Sequence, residues 1–116
     1  MAGKETSYFI YDASRSVAAT GVTGALEVEA WDRYALQSAF TGLAATASGT
    51  ITLQTSLNGT TFTDYPNSAQ NFASGTTSLM WELTVKSHRY MRMQLSGTTT
   101  GTGTVTTTFY SERMTD

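Results

Sequence analysis

Apolar and polar residues alternate along most of this chain with a repeat of two. Leu26 and Val28 oppose Glu27 and Glu29, and Tyr34, Leu36, Ser38 and Phe40 share one side of residues 33–40. Leu79, Trp81, Leu83 and Val85 alternate with Met80, Glu82 and Thr84. Met91, Met93 and Leu95 alternate with Tyr90, Arg92 and Gln94, and Val105, Thr107 and Phe109 share one side of residues 104–110. Successive side chains of a strand point to opposite faces, so this period predicts half-buried strands. No stretch carries the 3.6-residue period over three helical turns, and parallel sheets need crossover helices. The pattern predicts an all-β fold, an antiparallel β-sandwich of jelly-roll-like form with about seven or eight short strands.

The sharpest local signal is Asn58-Gly59, flanked by the alternating run Gly49-Thr-Ile-Thr-Leu-Gln-Thr-Ser-Leu and by Thr-Thr-Phe62-Thr-Asp64-Tyr65. Asn-Gly tolerates positive φ at both central positions of a type I′ turn. A two-residue turn there places Thr55 opposite Phe62 and Leu53 opposite Asp64. Residues 12–21 are small and polar and read as loop, and residues 41–48 read as a connection. Residues 66–77 form a long polar stretch that Phe72 pins to the body. Lys86-Ser87-His88 and the Gly/Thr run 97–103 read as turns. Residues 1–20 are an N-terminal arm or the first strand, 21–112 the sandwich, and 113–116 a polar tail.

Composition narrows the function classes. The 116 residues make one domain by length. Only 14% are charged, while aromatics reach 11%, so the Thr, Ser and Gly excess reads as exposed sheet surface and not as disorder. A net charge of -2 without a Lys/Arg block disfavours nucleic acid as a partner. The absence of Cys removes disulfides, thiol catalysis and thiolate metal sites. The polar start Met1-Ala-Gly-Lys-Glu-Thr has no apolar stretch behind it, so we expect no signal peptide, no membrane partner and manufacture in the cytoplasm.

Candidate chemistry is sparse. His88 is the only histidine, no nucleophile elbow accompanies it, and its plainer reading is a solvated turn residue. Glu27 and Glu29 on one strand face, with Asp32 nearby, have the form of a glycosidase pair or of calcium ligands that Asp12, Asp64 and Asn58 would extend. The plainer reading is the wet side of an edge strand. Residues 97–103 lack the Lys of a phosphate loop. The expectation is no catalytic residues, no metal and no cofactor. Trp81 shares its face with Leu79 and Leu83, so it reads as core. Trp31 and Tyr34 at a strand junction have the makings of a sugar platform or a protein contact, and the plainer reading of each is structural packing. Tyr8, Phe9, Ile10 and Tyr11 form an aromatic run suited either to a first strand or to docking on a partner.

The succession Tyr34-x-Leu-Gln37, Gly49-Thr-Ile-Thr-Leu-Gln54-x-Ser56-x-Asn58-Gly59-x-x-Phe62-x-Asp64, Trp81, Arg89-Tyr90-Met-Arg92, Ser96-Gly97 and Gly101-Thr-Gly103-Thr-Val-Thr resembles small β-sandwich structural proteins of tailed bacteriophages. The resemblance covers roughly residues 34–110 and rests on turn and strand grammar. The same turn is similar to that of discoidin-type carbohydrate-binding sandwiches, with Asn58 for their usual Asp and Phe62 for their usual Trp. The resemblance implies a virion component, a head decoration, cement, fibre or tail-associated subunit, located in the virion. Its partners would be copies of itself and other virion proteins, met through Tyr8, Phe9, Ile10, Tyr11, Trp31 and Tyr34. The alternative it implies is a carbohydrate-binding or adhesion module with glycans as partners.

Overall fold

The structure, a computed structural model, describes residues 3–84, 87–97 and 102–115. Val85, Lys86 and the centre of the expected 97–103 turn lie outside the described residues. All regular elements among the described residues are strands, ten in number and arranged in two antiparallel sheets. The first sheet has the order β1 (Gly3–Ser16), β10 (Thr104–Thr115), β4 (Arg33–Thr41) and β8 (Ser78–Leu83). The second centres on β5 (Ser48–Ser56) and β9 (Tyr90–Gly97). The short β2 (Gly21–Val22) and β3 (Leu26–Glu27) flank β9, and β6 (Thr63–Asp64) and β7 (Gln70–Ala73) flank β5. The architecture is an antiparallel β-sandwich, and the strands beyond the expected seven or eight are two-residue pieces.

The period-two positions meet between the sheets. Tyr34, Leu36, Trp81, Leu83, Val105 and Phe109 from the first sheet face Ile51, Leu53, Met91, Met93 and Leu95 from the second, all nearly solvent-free. Two buried hydroxyls on the inner face satisfy each other, Ser38 Oγ and Thr107 Oγ1 at 2.8 Å. Trp81 is core as its pattern implied, and its indole Nε1 donates to the Ser68 carbonyl at 2.6 Å. Phe72 pins the 66–77 segment, buried at 2% exposure and stacked on Phe40 with ring centroids 4.8 Å apart. Gly49 permits this. A Cβ there would come within 2.6 Å of the Phe72 ring and 2.7 Å of the Ser96 carbonyl.

Three local expectations are corrected. Residues 12–16 continue β1, so the expected loop 12–21 narrows to residues 17–20, and residues 111–115 continue β10, so the expected polar tail 113–116 is strand as far as Thr115. Each supplies the other's ladder, Gly3 lying opposite Thr115 and Ser16 opposite Thr104. The hairpin after β5 also differs from expectation. Gln54 pairs with Asp64 and Thr55 with Thr63, one residue away from the two-residue register. Gly59 has φ of 81°, but Asn58 is absent from the positive-φ residues, so the turn is not type I′. Side chains hold this longer loop. Ser56 Oγ accepts from the backbone N–H groups of Asn58 (3.2 Å) and Gly59 (2.9 Å), and Asn58 Oδ1 accepts from those of Thr60 and Thr61 at 2.9 Å each. Such local Ser and Asn bonds replace the backbone bonds of a tight turn.

Gly59 remains the position that only glycine fills without strain. A Cβ there would also stand 3.3 Å from the Tyr90 ring. Gly59→Val is expected to lower stability by about 1–3 kcal/mol. Thermal unfolding checks this, and an unchanged midpoint would contradict the loop geometry.

Candidate assembly surface

The outer face of the first sheet is the candidate surface. Phe109, Leu36 and Trp81 point inward, so their strand neighbours point out. Register aligns these neighbours in two rows, Tyr8–Tyr110–Ala35–Glu82 and Ile10–Thr108–Gln37–Met80. Tyr8 is 75% exposed, Ile10 62% and Met80 46%. Tyr8 and Met80, together with Ala35 and Tyr110, surround a shallow hollow of about 270 Å³, and Ile10 stands outside it. A sheet face of this kind, apolar and open to water, marks a contact surface when the apolar residues are contiguous.

Beside the hollow stands a charged knot. Glu112 is nearly enclosed. It accepts from Tyr110 Oη at 2.7 Å, from Lys4 Nζ at 3.2 Å and from Arg33 Nε, which ties β1, β10 and β4 together. The Tyr110 hydroxyl bond, then those from Arg33 and Lys4, hold the Glu112 carboxyl down at about 2 against the opposing effect of burial. The same bond pushes the Tyr110 phenol up, since it is made by the protonated form.

The sequence-derived contact residues separate into two groups. Tyr8 and Ile10 lie on the outer face. Phe9 turns inward, with its ring 5.1 Å from Phe109, yet stays 38% exposed because β1 is the sheet's edge. Tyr11 is pinned, its hydroxyl bonded to Thr23 Oγ1 at 2.6 Å and donating to the Gly24 carbonyl, and burial raises its pKa. Trp31 is half-buried under the Arg113 guanidinium, 5.9 Å from the ring centre. Tyr34 sits in the core at 2% exposure, which leaves it no surface to offer a partner.

His88 is not a solvated turn residue. It is 7% exposed, its Nε2 lies 2.6 Å from the Tyr34 hydroxyl, and its ring meets Tyr34 and Tyr65 edge-on. Burial raises the Tyr34 pKa. The acids disperse. Glu29 pairs with Arg89, Asp12 with Arg15 at 2.8 Å, and Asp64 with the Gln54 amide at 2.9 Å. Among the described residues no three of His, Cys, Asp and Glu gather where a metal would bind. Sequence reasoning missed Met80 and Glu112. The signal for Met80 was an apolar residue at a solvent-face position of the Leu79-Trp81-Leu83 alternation. Glu112 had none, because two of its three partners, Arg33 and Lys4, lie 79 and 108 residues away along the chain.

No family model and no curated protein matches the sequence. Among solved structures, the SPBc2 prophage-derived protein YomS superposes with a TM-score of 0.66 over 95% of both chains at 11% identity. The PBSX exported protein XepA gives 0.64 at 16% identity, over 95% of this chain and 38% of XepA. A chain of infectious bursal disease virus, Gx strain, gives 0.60 at 7% identity, over 94% of this chain and 32% of the viral one. At such identities the likeness shows a common sandwich fold.

The Glu112 knot makes a pH prediction. Its pKa is lowered in the folded state, from an ordinary value of 4.5 to about 2. The stability it contributes is therefore present above the ordinary value and is lost as pH falls toward the folded one. Melting midpoints of the wild type are expected to drop as pH falls from about 4.5 to about 2. Glu112→Gln is expected to melt lower at neutral pH and to follow a flatter curve through that window.

Proposed function

We propose that this chain is a non-enzymatic structural subunit of a bacteriophage virion, a head decoration, cement or tail-associated component. In this reading it is made in the host bacterial cytoplasm, ends in the virion, and binds copies of itself and neighbouring virion proteins. Nucleic acid and membrane are not its partners. The observation that carries the reading is the exposed apolar outer face bearing Tyr8, Ile10 and Met80. The whole-length fold likeness to a prophage-derived protein supports the viral setting. Burying one large apolar side chain contributes roughly 1.5–3 kcal/mol. A few such contacts, repeated by symmetry, hold an assembly whose subunits have no other interaction. Tyr8, Phe9 and Ile10 are the proposed contacts, with Trp31 and Tyr11 at their margin.

One observation favours glycan binding as a second reading. A depression of about 470 Å³ beside the Asn58 loop is lined by Thr, Ser, Asn, Leu57, Tyr65, Pro66 and His88 and, among the described residues, by no Asp, Glu, Lys or Arg. Hydroxyls, an amide and an aromatic ring without charge suit a neutral sugar. Titration with neutral oligosaccharides such as maltotriose or chitotriose checks it. Amide shifts confined to residues 55–65 and 88 are the expected result, and an unperturbed spectrum removes the reading.

For the structural reading, light scattering on the full-length chain is expected to report a discrete oligomer. The Tyr8→Lys/Ile10→Lys double variant is expected to be folded, within about 0.5 kcal/mol per exposed substitution, and monomeric. A wild type that is monomeric at every concentration and never copurifies with a particle would sink the proposal.

A further inference from the structure

We propose that the free edge of β1 pairs antiparallel with β1 of a second copy of this chain, with Tyr8 on the two-fold axis. The inference rests on the assembling-subunit reading above and names its contact.

The argument begins with the edges of the two sheets. Sheets protect free edges by keeping them short, by bulges, by Pro and by unpartnered charges. In the second sheet the flanking strands β2, β3, β6 and β7 are two to four residues long. In the first sheet the β8 edge has six residues, and its Met80 carbonyl already accepts from Gln70 Nε2 at 2.7 Å. The remaining edge, β1, is 14 residues long. Its two register shifts fall between Ile10 and Asp12 and between Asp12 and Arg15, so residues 3–10 run unbulged along β10. The chain's one proline lies elsewhere, at position 66. Lys4 and Glu5, the charges on this run, are spent on Glu112 and Arg113 of β10. Residues 6–10, Thr-Ser-Tyr-Phe-Ile, are thus a straight, uncharged edge rich in strand-forming residues. Among the described residues no bulge, proline or charge falls within it.

The side chains fit a second strand there. Phe9 packs tilted against Phe109 on one flank and is open on the other. A strand laid along β1 covers that open flank and extends the Tyr8/Ile10 face across the junction.

Charge and length select a second β1 as the occupant. Parallel self-pairing sets Lys4 beside Lys4 and Glu5 beside Glu5. Antiparallel pairing centred on Tyr8 sets Thr6 opposite Ile10 and Ser7 opposite Phe9, which uses the whole uncharged stretch 6–10. Beyond that stretch it directs Lys4 and Glu5 toward the bulged segment that carries Tyr11 and Asp12, with no like charges opposed. The two-fold arrangement consumes both edges, so it closes as a dimer contact and does not propagate as a fibre. The product is a sheet of eight strands continuous through two subunits.

The absence of native cysteine makes the test clean. Directly opposed residues of an antiparallel pair have Cα atoms about 4.5–5.5 Å apart, within disulfide reach. On mild oxidation Tyr8→Cys is expected to form a linked dimer at least roughly tenfold more than Ser78→Cys on the β8 edge. A mixture of the Thr6→Cys and Ile10→Cys chains, which keeps Tyr8 in place, is expected to link one to the other. Light scattering of the wild type separates the two ways to fail. An oligomer without preferential β1 links overturns the edge pairing and leaves the assembly reading standing, whereas a monomer at every concentration overturns the edge pairing and, if it also never copurifies with a particle, the assembly reading with it.

Discussion

The pairing of β10 with β1 on one side and β4 on the other is the constraint on which the rest depends. Strand side chains alternate, so a one-residue slip at β10 would exchange every inward residue for an outward one. With Phe109 opposite Phe9 and Leu36, the inner row is aromatic and aliphatic, and Tyr34 stacks on Phe109 with centroids 5.6 Å apart. The same register places Tyr110 between Tyr8 and Ala35, and Glu112 between Thr6 and Arg33, so the core and the outer face are consequences of one alignment. The Glu112 knot clamps that alignment by binding side chains from all three strands. It is a partly screened contact whose value lies in specifying register more than in raw stability.

Much of the fold was legible because the period is local. The inward sets of β4, β8, β9 and β10 could be read from five to eight residues each, and Trp81 from its immediate neighbours. What was not legible depends on partners far along the chain. The ends of β1 and β10 lack apolar alternation and are strands because each completes the other's hydrogen bonds. His88 looked like a turn residue because its hydroxyl partner, Tyr34, lies 54 positions away. For Tyr34 the β4 alternation pointed inward and only the contact reading pointed out, and the structure follows the alternation. The Asn58-Gly59 turn failed differently. The glycine adopts positive φ as the dipeptide implies, but Ser56 and Asn58 side chains supply competing acceptors, and the loop lengthens by enough to move the register one residue.

For the surface, the run from Tyr8 to Tyr11 announced apolar residues without saying which would be free. The sandwich divides them. Alternation sends Tyr8 and Ile10 outward and Phe9 inward, and the Thr23 hydroxyl and the Gly24 carbonyl claim Tyr11. A rigid two-layer body with dispersed ion pairs and an apolar outer face on its first sheet is suited to packing against other proteins.

The opposition of Gly3 and Thr115 across the β1–β10 ladder has a mechanical consequence. Tension that draws these two points apart loads the rungs in succession from one end, so the ribbon opens like a zipper at low force. Tension carried along β1 toward a laterally bound neighbour loads many rungs together, in shear. A subunit built this way is compliant when pulled by its ends and stiff when pulled through its edge.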